Sequence, residues 1–183
     1  MMIFFAASAS AQSVRLARLP IIFQCKLPDS DTCAELETKI ERAVHIPLNG
    51  TLQLADYLDP KNSAIQFNDI WQNLRAQNKK ARLTDVMRPL AEKLDADIIV
   101  CPVLKDFSQH VFSVCCGETV LISHARAELI VYDRRTDELI DKKSSLFHND
   151  VYHPRGTAEQ LTKECFDKII DASKLRQKIH DIR

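Results

Sequence analysis

Apolar positions along the chain change period several times, and each change marks an element. VRLARLPIIF (14–23) is rich in branched apolar residues and predicts an opening strand, with Pro20 at an edge position or at the strand's end. Thr32-Cys-Ala-Glu35 reads as a capping box, followed by Leu36, Ile40, Ala43 and Val44 at helical spacing. Pro47, Asn49 and Gly50 stop that helix, and TLQLADYL (51–58) predicts a second strand. Phe67, Ile70, Trp71 and Leu74 then recur at i, i+3, i+4 and i+7, which makes Trp71 part of a core stripe rather than a ligand platform. ARLTDVMRPLAEKL (81–94) predicts another helix with Val86, Met87, Leu90 and Leu94 inward, kinked or started late by Pro89.

The second half is strand-rich. ADIIVCPVL (96–104) is a near-continuous apolar run, as in a central strand buried on both faces. From Glu118 to Tyr132 the chain alternates: Leu121, Ser123, Ala125, Ala127, Leu129 and Val131 share one face, and Ile122, His124, Arg126, Glu128 and Ile130 the other. DRRTDE is a turn, LIDKKSSLFHNDVY (139–152) a third long strand, and Thr157-Ala-Glu-Gln160 caps a last helix with Leu161, Cys165, Ile169 and Ala172 inward. The expected fold is α+β: a single mixed sheet of about five strands with helices packed on it, ending in a β-meander and a C-terminal helix.

Length and charge narrow the function classes. The 183 residues suit one domain, and 25 basic against 25 acidic residues leave no field to hold nucleic acid. MMIFFAASASAQS at the start has the apolar run and small-x-small site (Ala9-Ser10-Ala11) of a secretory signal, without the positive start. Residues 1–11 are therefore expected to be a signal peptide and 12–183 a single domain, periplasmic or secreted. No later apolar run of about 18 residues predicts a membrane span.

Six cysteines in an exported chain raise the question of disulfides. Cys25 and Cys33 flank one short loop and are the easiest pair to bridge, whereas Cys101 and Cys165 fall on apolar faces and read as buried small hydrophobes. Cys115 and Cys116 sit in FSVCCGETV (112–120), where Gly117 supplies the backbone freedom of a hairpin tip. Adjacent strand residues point to opposite faces, which disfavours one metal held by both thiols; structural thiols, intermolecular bridging and metal or redox chemistry all stay open.

His148, Asp150 and His153 could ligate zinc if His110 or a cysteine joined them, but their spacing matches no standard zinc pattern. His124, Arg126 and Glu128 form a polar strand face on which no nucleophile is placed by the sequence. With three glycines and no G-x-S-x-G, P-loop or G-x-G-x-x-G, the usual hardware of catalysis is missing.

Several segments together carry a resemblance. RLARLPII, the Ala96-Asp97-Ile98-Ile99-Val100 strand and the hairpin from Val131-Tyr132-Asp133 through Thr136, Glu138 and Leu139 resemble a group of periplasmic domains. That group comprises the curli secretion lipoprotein, the penicillin-binding-protein activator lipoproteins and the N-terminal domain of the translocation protein TolB. The chain departs from the lipoproteins in having no cysteine directly after the signal, and Asp137 stands where the turn usually has glycine. The resemblance implies an envelope protein that binds other proteins and has no catalytic residues to carry over.

The expectation is thus a non-enzymatic, cofactor-free interaction module. Its partners are other envelope proteins or a second copy met through a sheet edge, with Phe107, His110, Phe112, Cys115 and Cys116 as the interaction hairpin. The alternative is a metal- or thiol-dependent binding protein using Cys115, Cys116, His148 and His153.

Overall fold

A computed structural model describes residues 13–47, 49–52, 54–113 and 117–180. The apolar run beginning at Ile98 becomes β4 (Ile98–Ser113), whose first seven residues are buried because both faces of the sheet are covered there. Ile98, Val100 and Leu104 enter one core, while Ile99, Cys101 and Val103 enter the other. β1 (Val14–Arg18) and β2 (Ile22–Phe23) run parallel to β4 on one side, and β3 (Ala55–Tyr57) lies outside β1. On its other side β4 pairs antiparallel with β5 (Thr119–Asp133), and β5 with β6 (Glu138–Val151). The order β3-β1-β4-β5-β6, with β2 against β4, makes the expected single mixed sheet and closing meander.

Helices cover both faces. α1 (Ser30–Val44), α5 (Ala158–Ser173) and α6 (Leu175–His180) pack Leu36, Ile40, Phe166, Ile169 and Leu175 on one face. α3 (Pro60–Gln77) and α4 (Thr84–Leu94) pack Phe67, Met87 and Leu90 on the other, with Trp71 half-buried at the margin. Pro89 lies inside α4.

Local chemistry revises several boundaries. The opening strand is split at Leu19-Pro20-Ile21, since Pro20 has no N–H for a ladder, and β2 resumes the pairing with β4. The cap of α1 is Asp29, not Thr32: its carboxylate accepts from the Thr32 N–H (2.9 Å) and hydroxyl (2.7 Å). Thr157 caps α5 as expected, accepting from the Gln160 N–H at 3.3 Å. The strand expected over 51–58 is shorter, because Asn49–Leu52 forms a helical turn, α2, and the Asn49 side chain ties off Ala55. The terminal helix breaks at Lys174, which takes a left-handed φ of 52° between α5 and α6.

The expected Cys25–Cys33 bridge is not formed; both are free thiols. Cys25 Sγ lies 3.6 Å from the Leu104 carbonyl and Cys33 Sγ 3.7 Å from that of Pro28, so each is engaged by a different backbone group. Cys101 and Cys165 are buried, and burial pushes both thiols above their usual range, as inert core residues require.

Candidate functional site

The meander of β4, β5 and β6 is longer than the helices that cover it. On the face carrying α3 and α4, the core side chains end at Val103 on β4 and Ile130 on β5. Beyond them, a β-bulge falls between Leu104 and Asp106. A regular strand would send Lys105 and Asp106 to opposite faces; the extra residue lets both serve the same one. Lys105 reaches Glu128 there, Asp106 reaches His124, and Phe107 returns to the opposite face against the first core.

Two polar networks result. Glu128, with a side chain only 4% exposed, is held between Lys105 and Lys143, the latter 3.1 Å from its Oε1 and 2.6 Å from Asp141. The hydrogen bond to Asp141, and after it that to Glu128, raises Lys143 above the ordinary lysine range. This cluster floors a cleft of about 510 Å³ walled by Trp71, Arg82 and Ile130. The guanidinium of Arg75 lies 5.4 Å from the Trp71 ring centre, on the same rim.

One row further out, His124 Nδ1 lies 2.8 Å from Asp106 Oδ2 and its Nε2 lies 2.9 Å from Ser145 Oγ. His124 and Asp106 are about one-third exposed, and Ser145 is exposed. The sequence placed no nucleophile near His124, and here the expectation is corrected: β5–β6 register brings Ser145 beside it. Arg126 pairs in register with both Asp106 and Ser145 and points to solvent. The signal that would have found this trio is the register across two hairpins plus the bulge, which a single strand's alternation does not contain.

Among the described residues, the outer part of the same face is apolar and uncovered. Phe112 and Val120 pair across β4 and β5, and Val120 with Val151 across β5 and β6. Phe147 stands edge-on to His124 with ring centres 6.4 Å apart, and His110 stacks on Phe112 at 6.3 Å. Among the described residues, β6 has no strand on its outer side, and β4 has none beyond Leu104, where β2 ends.

The remaining expected site residues are dispersed. Ser113 and Thr119 are the last pair of the β4–β5 hairpin, and Gly117 has φ 80°; Cys115 and Cys116 lie outside the described residues. His148 faces away from His110, on the side covered by α5, with its ring packed against Gly156. His153 caps the short 3₁₀ turn Pro154–Gly156 by accepting from the Arg155 N–H. Among the described residues, no three metal-binding side chains converge.

No family model and no curated protein matches the chain. Among solved structures it is similar to the hypothetical protein CT253 from Chlamydia trachomatis, at 14% identity and a TM-score of 0.45 over 92% of this chain and 98% of that one. It is also similar to lipoprotein GNA1162 from Neisseria meningitidis, at 12% identity and a TM-score of 0.38 over 86% of this chain and 99% of that one. The LpoB C-terminal domain from Salmonella enterica aligns at 9% identity and a TM-score of 0.35 over 76% of this chain and 87% of that one. All three scores are too low for the likeness to assign a function or a partner.

Proposed function

We propose that this chain is a protein-docking module of the bacterial cell envelope, periplasmic or secreted, whose partner sits on the uncovered face and open edges of the β4–β6 meander. The observation that carries the reading is where exposed apolar side chains collect. Nine large hydrophobic residues are exposed among the described residues, and five of them (Val111, Phe112, Phe147, Val151 and Tyr152) lie at the outer end of this one hairpin system. Three of the five, Phe112, Phe147 and Val151, share the face that α3 and α4 leave uncovered, and exposed apolar side chains beside unpaired strand edges are what a partner strand or surface recognises. The envelope location rests on residues 1–11 acting as a signal and on the motif resemblance to the periplasmic group. Partners are other envelope proteins or a second copy. The main work of the chain on this reading is binding, with no cofactor.

A photo-crosslinking residue at Phe147 or Phe112, in protein exported by a bacterial host, is expected to give discrete adducts. The same probe at Ile65, similarly exposed but on α3 rather than on the meander, is expected to give none. Equal crosslinking from Ile65, or none from either meander position, would overturn the proposal.

A further inference from the structure

Beyond docking, and independent of it, we propose that Ser145 is an activated nucleophile that accepts acyl groups from small activated carboxylic esters, with His124 as its general base and Asp106 as the residue that positions the imidazole. Three observations carry this. Each ring nitrogen meets the group its role needs, Nδ1 the carboxylate at 2.8 Å and Nε2 the hydroxyl at 2.9 Å. A carboxylate only accepts, so Nδ1 carries the proton and Nε2 of the neutral ring is left to accept from the Ser145 hydroxyl. Such constellations are defined by geometry and roles rather than by fold or chain order. Second, the bulge before Asp106 is what turns its carboxylate to the His124 face. Third, Arg126 stands in register with Ser145 on the same face, exposed and in no ion pair among the described residues, where its guanidinium can stabilise an oxyanion.

The step balances without any added reagent. Ser145 Oγ attacks the ester carbonyl carbon as its proton passes to His124 Nε2, and the carbonyl π pair moves to oxygen beside Arg126. Collapse breaks the bond to the leaving oxygen, which takes the proton from His124 and departs as an alcohol or phenol. Water, deprotonated by the same nitrogen, then releases the carboxylic acid and restores Ser145. The row lies open on the sheet face, with His124 and Asp106 about one-third exposed and Ser145 exposed. The substrates it fits are therefore small esters with good leaving groups, resting on Phe147, rather than long chains that need a tunnel.

The test treats the purified full chain with a fluorophosphonate probe, whose fluoride is displaced by an activated serine, and maps the adduct by mass spectrometry. One adduct on Ser145 is expected, with none in Ser145→Ala, an exposed substitution that leaves the fold intact. His124→Gln is expected to slow labelling by about 100-fold or more. Asp106→Asn is expected to slow it and to move its pH profile, which a purely structural change would not do. No adduct on the wild-type chain, labelling that persists in Ser145→Ala, or His124→Gln labelling as fast as wild type would each overturn the proposal. An Asp106→Asn profile identical to wild type would remove Asp106 from it.

Discussion

Asp137 shows how much a single residue can conceal. The sequence marks a turn at DRRTDE, where glycine would fit most easily, and Asp137 does adopt a left-handed φ of 53°. Its side chain compensates by accepting from the Tyr132 hydroxyl at 2.8 Å and from Arg88. The Tyr132 hydrogen bond first, and then the Arg88 charge, hold this carboxyl below the usual range. With the folded value below the unfolded one of about 3.9, its contribution is present above that pH and lost as pH falls through the depressed value. Wild type should therefore be more stable than Asp137→Asn in urea near neutral pH, the gap closing below about pH 4; a gap constant across that range would contradict the assignment. Ser145 and Asp106 were illegible at this scale, since neither carries a local signal of its partner His124 on the neighbouring strand.

Elements were more readable than their alignment. Every long strand and helix has a periodic stripe, and five sheet strands with their covering helices follow from those stripes. Register is another matter: it depends on how two strands meet, and the bulge after Leu104 changes which side chains share a face. Glu128 illustrates the consequence, because a residue expected on a wet face lies buried between two lysines. Replacing both Lys105 and Lys143 by Met strips a buried carboxylate of its cations. This should cost about 3 kcal/mol, toward the low end for such pairs because Lys143 is more than half exposed. Adding Glu128→Gln should restore most of the loss, as read from urea midpoints. A double variant as stable as wild type would show that Glu128 does not depend on this pairing.

At the scale of the whole molecule, one sheet joins two cores that never touch except through it. Phe166 of α5 is fully buried on one face, and Trp71, the only tryptophan, reports on the other. Phe166→Ala should cost about 3–5 kcal/mol, a large share of the 5–15 kcal/mol typical of a domain. If the sheet couples the faces, Trp71 fluorescence and far-ultraviolet circular dichroism should move together to a lower urea midpoint in this variant. A fluorescence midpoint left in place would mean that the faces unfold separately. The sequence by itself determined the α+β class, the number and order of the long elements, the buried cysteines and the polar character of the His124 strand face. These depend on periodicity and local propensity, which are properties of neighbouring residues. Only the tertiary structure decided that Cys25 and Cys33 stay free thiols, that Glu128 is buried, that Asp106 and Ser145 flank His124, and that among the described residues the outer meander is left uncovered. Those outcomes depend on inter-strand register and on where the helices stop, which are set by packing between segments far apart in the chain.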